Sequence, residues 1–82
     1  MKVEDIMINI MKEKGISKAQ LGRAVGVENE KNPSDVINKR MKQKNISVNV
    51  LSEMLGAMGY TIAIVPKGPN LKAGEYEVTI SE

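Results

Sequence analysis

Ile16-Ser17-Lys18-Ala19-Gln20-Leu21-Gly22-Arg23-Ala24-Val25-Gly26-Val27 decides how the rest of the chain is read. Ser17 and Gln20 have capping-box spacing: the Ser17 hydroxyl accepts from the Gln20 amide, and the Gln20 side chain accepts from the Ser17 amide. Ile16 and Leu21 flank them as a hydrophobic staple, and Gly26 with apolar Val27 behind it closes the segment. A second helix is therefore expected from Lys18 to about Val25, burying Leu21 and Val25. It spans barely two turns. Isolated helices below about 12 residues are marginal in water, so its neighbours must hold it in place.

Those neighbours are legible on both sides. Upstream, Val3, Ile6, Met7, Ile10 and Met11 recur at the i, i+3, i+4 spacing of an amphipathic helix. Glu4 and Asp5 suit the start of this first helix, Lys12 and Lys14 suit its end, and Gly15 terminates it with Ile16 following. Downstream, Glu28 to Lys31 read as turn. Asn32-Pro33-Ser34-Asp35 then reads as a helix start, with Asn32 as cap and Pro33 in the first helical position. The third helix is expected from Pro33 to about Lys44, with Ile37, Met41 and Val36 toward the core. Ser34, Asn38, Lys39 and Lys42 then point outward. A fourth helix, capped by Ser47, carries Val48, Leu51, Met54, Leu55 and Met58 on its apolar side and ends at Gly59. Gly22 and Gly56 lie inside helices at a cost of roughly 1 kcal/mol each relative to Ala, for which close helix approach is a candidate reason.

From Tyr60 the period changes to two. Tyr60-Thr61-Ile62-Ala63-Ile64-Val65 and Glu75-Tyr76-Glu77-Val78-Thr79-Ile80 are rich in strand formers, and the loop between them contains Pro66 and Pro69. A β-hairpin is expected, packed on the helices or at a dimer interface, because two strands alone are marginal in water. The fold class that follows is mostly α: four helices (residues 1–59) and then two antiparallel strands (residues 60–82).

Composition narrows the function. The 82 residues suffice for one small core, and an apolar share of 41% with 27% charged residues is that of a chain that folds. Without His, Cys, Trp or Phe, the core must come from Ile, Val, Leu, Ala and the six Met residues. No disulfide can form, and neither a zinc site nor any other metal or cofactor is expected. No continuous apolar run suits a signal peptide or a membrane span, so a cytoplasmic protein without membrane partners is expected. With no His base, no Cys nucleophile and no phosphate-cradling loop, catalytic residues are absent from the reading and an enzyme is not expected. Glu28 and Glu30 are solvated turn acids on this reading rather than a cation site. The formal charge is only +2, but residues 31–44 hold Lys31, Lys39, Arg40, Lys42 and Lys44 against Asp35 alone. Such a patch either attracts a polyanion or is simply a solvated helix face.

A helix, a glycine-terminated turn and a second helix with outward polar and basic residues form the layout that places a recognition helix in the major groove. From Met11 to Tyr60 the chain resembles the lambda-repressor-like helix-turn-helix family, also called the Xre or Cro family. The resemblance is carried by Gly15 to Val27, then by Asn45-Ile46-Ser47-Val48-Asn49-Val50-Leu51 and by Leu55-Gly56-Ala57-Met58-Gly59-Tyr60. It implies a sequence-specific regulator of transcription, repressor-like and of phage or mobile-element type, that binds double-stranded DNA as a homodimer. On that resemblance Ser34, Asn38 and Lys39 read base edges, while Lys18, Lys31, Lys42 and Lys44 contact phosphate. Arg23 and Arg40 either join those phosphate contacts or simply form surface ion pairs. Two departures stand out: the turn is longer than usual in the family by Glu28-Asn29-Glu30-Lys31, and the expected hairpin replaces a fifth helix. The acidic insertion and the tail also fit a different class, a protein-interaction module such as an antitoxin or anti-repressor that takes a toxin or a repressor as partner.

Overall fold

The computed structural model describes residues 1–27, 31–68 and 71–78. Four helices follow in order: α1 (Val3–Lys14), α2 (Lys18–Ala24), α3 (Pro33–Lys42) and α4 (Val48–Ala57). The last three are started by capping side chains, whereas Lys2 before α1 makes no side-chain capping bond. The Ser17 Oγ accepts from the Gln20 amide at 3.1 Å, and the Gln20 Oε1 accepts from the Ser17 amide at 2.8 Å, which completes the capping box of α2. Asn32 Oδ1 accepts from the Asp35 amide at 3.2 Å, with Pro33 in the first turn of α3. Ser47 Oγ accepts from the Val50 amide at 3.1 Å at the start of α4.

The helix ends share one device. Gly15 turns left-handed at φ 67°, so its amide reaches the Lys12 carbonyl at 3.3 Å and the Ile16 amide reaches Met11 at 2.9 Å. Gly26, at φ 84°, does the same for α2, and the Val27 amide reaches Gly22 at 2.9 Å. Carbonyls left over at the ends are thereby satisfied, and the apolar follower is turned back onto the helices. By contrast α3 stops at Lys42, short of Lys44, and Gln43 adopts an extended conformation. Beyond Met41 the chain offers only Gln43-Lys44-Asn45, so further turns would have no apolar side chain to bury.

One core joins all four helices. It consists of Ile6, Met7, Ile10 and Met11 from α1, Leu21 from α2, Ile37 and Met41 from α3, and Met54, Leu55 and Met58 from α4 and its cap. Every methionine except Met1 is buried, because an unbranched, flexible side chain fills the gaps that a core without Phe or Trp leaves. Val25 and Val36 are half-buried at the margin. Val48 departs from its expected place and is 68% exposed: it continues the Leu51–Leu55 stripe, but lies one turn beyond the edge of the core.

The tail corrects the sequence reading. The expected β-hairpin is absent, and no strand occurs among the described residues. Thr79 and Ile80, like Glu28, Asn29 and Glu30 of the long turn, lie outside the described residues. After Tyr60 the chain runs without ladder pairing to a turn in which the Glu75 amide bonds to the Lys72 carbonyl at 3.0 Å. Among the described residues each would-be strand gives the core a single side chain. Tyr60 and Tyr76 pack against it with ring centroids 6.3 Å apart, whereas Ile62, Ile64, Val65 and Val78 face solvent. Strand pairing needs an apolar surface beneath one face of the alternation, and of the described tail residues only the two tyrosines find one on these helices. The Met1 ammonium donates to the Glu77 carbonyl at 2.9 Å, and the Lys14 ammonium sits 5.7 Å from the centre of the Tyr60 ring. The tail is thus pinned against α1.

Candidate nucleic-acid interface

Two helix segments build the site. Lys18 is the first residue of α2, and Ser34 and Asn38, one turn apart, are half-buried on the flank of α3 that adjoins its buried Ile37 and Met41. The Lys18 Nζ donates to Asn38 Oδ1 at 2.7 Å across the gap between the helices, in a half-buried setting. Around this bond Lys18, Asn32, Ser34, Asp35 and Asn38 line an open depression of about 240 Å³.

The approach that makes this bond possible depends on Gly22. It stands one turn after Lys18 on the same side of α2, and a Cβ there would lie 2.8 Å from the Pro33 Cβ and 3.0 Å from the Pro33 carbonyl oxygen. Close helix approach therefore explains Gly22. It does not explain Gly56, where an added Cβ would meet nothing within 4 Å.

Of the sequence-derived site residues, the structure brings Lys18, Ser34 and Asn38 together. Lys39 is displaced from them by one position around the helix. Its ammonium is 3.2 Å from Asp35 Oδ2, with the two side chains 75% and 50% exposed. Lys31, Lys42 and Lys44 are exposed, at the residue before the cap of α3, at its last residue and in the turn beyond. They are not part of the depression. The tail leaves Lys39 and Lys42 uncovered.

Two members of the depression went unrecognised in the sequence. Asn32 was read as a cap, and Asp35 as part of the helix start and the one acid of the basic segment, yet both line it. The Asp35–Lys39 spacing of four was the available signal for their pairing. Lys18 and Asn38 are twenty residues apart, and no local signal links them. Arg40 also differs from expectation. Among the described residues the one ion pair is Lys39–Asp35, and the Arg40 Nη1 is sealed from solvent without a hydrogen-bond partner.

Electrostatically the site mixes signs: the Asp35 carboxylate and the Lys18 ammonium stand among neutral amide and hydroxyl groups. That combination suits directional hydrogen bonding as well as attraction to a polyanion. Among the described residues no helix is long and apolar enough to cross a membrane. No family model, no curated protein and no solved structure matches this chain.

Proposed function

We propose that the chain is a sequence-specific DNA-binding regulator of transcription, a cytoplasmic non-enzyme that seats α3 in the major groove. The observation that supports this reading is the polar depression at the junction of α2 and α3, where Ser34 and Asn38 sit half-buried beside the core residues Ile37 and Met41 while Lys39 and Lys42 stay exposed on the same helix. An α-helix fits the major groove of B-form DNA, where amide and ammonium groups distinguish base edges. Ser34, Asn38 and Lys39 face the bases, and the exposed Lys31, Lys42 and Lys44 grip phosphates on either side. A homodimer belongs to the same reading, since two copies double the recognised sequence. The side chains of Ile64, Val65, Leu71 and Val78, left in water by the tail, supply apolar surface for its formation.

The test is affinity for a selected duplex as a function of salt. Log K should fall with log salt by roughly 0.9 per phosphate contact, giving a steep slope for a dimer that uses three lysines per protomer. Absence of binding to any duplex at low salt would overturn the reading.

A second reading is favoured by the exposed apolar tail and by the acid inside the depression: a protein-interaction module, with a toxin or a repressor as partner. Reversal of Lys39 and Lys42 separates the two. It removes duplex binding under the first reading and leaves partner capture intact under the second.

A further inference from the structure

The bond between α2 and α3 has a chemical polarity that specifies what the site can read. A lysine ammonium has three donors and no acceptor, so the Asn38 atom 2.7 Å from Lys18 Nζ must be the amide oxygen. The orientation of the Asn38 amide is thereby fixed, with Oδ1 held by Lys18 and the donor Nδ2 at the other end. That Nδ2 is neither sealed from solvent nor bonded to another described residue. The ammonium keeps two further protons free for a ligand.

From this geometry we infer that Lys18 and Asn38 act as one donor-only reader that selects guanine, which makes Lys18 a specificity-determining residue and not a phosphate clamp. The inference rests on the DNA-binding reading above. Guanine presents two acceptors, O6 and N7, on its major-groove edge, and Lys18 Nζ and Asn38 Nδ2 supply two donors. Adenine presents a donor, N6, beside the acceptor N7, and the usual asparagine contact to it requires a free amide oxygen. Here one of that oxygen's two lone pairs is already taken by a cation, so N6 would have to share the atom with the ammonium, whereas both guanine acceptors meet donors alone. Asp35 lines the same depression but is tied through Oδ2 to Lys39 at 3.2 Å and takes no part in the Lys18–Asn38 bond.

The experiment selects duplexes from a random library with the wild type, Lys18→Met and Lys18→Arg, then measures affinity and salt slope for each on the selected site. Expected are a guanine at one position of the wild-type site and a loss of about 5- to 150-fold when it is changed to adenine. Replacing that guanine by 7-deazaguanine, which lacks only the N7 acceptor, should weaken wild-type binding as well. Lys18→Met should release the amide and let adenine compete, with the salt slope unchanged, and Lys18→Arg, which keeps the donors, should retain guanine. A Lys18→Met protein that keeps the guanine preference while its slope falls by roughly 0.9 would overturn the inference and make Lys18 a phosphate contact. Sequence-specific binding without a guanine that responds to Lys18 would overturn it too, leaving the regulator reading in place. Failure to bind any duplex would overturn both.

Discussion

Gly22 and Pro33 touch so closely that a single added carbon would not fit: a Cβ on Gly22 would lie 2.8 Å from the Pro33 Cβ. This contact sets the spacing of α2 and α3, and through it the bond between Lys18 and Asn38, because Lys18 lies one turn from Gly22 on the same side of its helix. The packing of the core and the geometry of the surface depression thus share one hinge point.

Gly22→Ala should therefore destabilise the protein even though alanine is the better helix former. Overpacking costs about 1 to 3 kcal/mol, against a propensity gain of roughly 1 kcal/mol. Duplex affinity should fall further than stability alone accounts for, since the depression is reshaped. Gly56→Ala is the control: with open space around that position it should stabilise by about 0.5 to 1 kcal/mol. Urea unfolding of both variants distinguishes the outcomes.

Asn32→Ala removes the side chain that holds the first turn of α3, and should cost about 1 kcal/mol. For a domain of this size the midpoint of thermal unfolding should drop by roughly 4 to 8 °C per kcal/mol. Calorimetry checks it. Duplex binding should weaken as well, because Ser34 lies in the turn that loosens.

Lys39→Glu with Lys42→Glu should abolish duplex binding while leaving the far-ultraviolet circular dichroism unchanged, as both side chains are exposed. The lost Lys39–Asp35 pair is worth only about 0.3 to 0.5 kcal/mol at such exposure. Retained binding with an unaltered salt slope would show that α3 does not meet the phosphates.

Tyr76 should ionise above the ordinary tyrosine value of about 10. Partial burial against the helices is the main cause, followed by the Glu13 carboxylate and then Tyr60. A raised value in the folded state means that the docked tail favours the neutral phenol. That contribution is complete below the unfolded value near 10 and is lost as pH climbs through the higher folded one. Absorbance titration of a Tyr60→Phe protein isolates Tyr76, and Glu13→Gln should move its midpoint part of the way back.

The helix boundaries were legible because they are local. Ser17 with Gln20, Asn32 with Pro33, and Gly26 followed by Val27 satisfy backbone groups within a few residues, so spacing alone reveals them. The tail misled for the opposite reason. Alternation in Tyr60–Val65 and from Glu75 onward states a preference for strand, but pairing depends on a surface elsewhere in the chain, and among the described tail residues the helices accept only Tyr60 and Tyr76. The same limit applied within the site: Ser34 and Asn38 could be placed on one face by their spacing, while the Lys18 ammonium on the Asn38 oxygen could not be foreseen.

By itself, then, the sequence determined four helices, the caps of the last three and the methionine-rich core, all consequences of periodicity and short-range hydrogen bonding. Only the tertiary structure decided that Gly22 lets α2 approach Pro33, that Lys18 orients the Asn38 amide, and that the tail docks by two tyrosines and not as a hairpin. Those outcomes depend on which surfaces meet across long separations in the chain, and that is settled by packing the whole core at once.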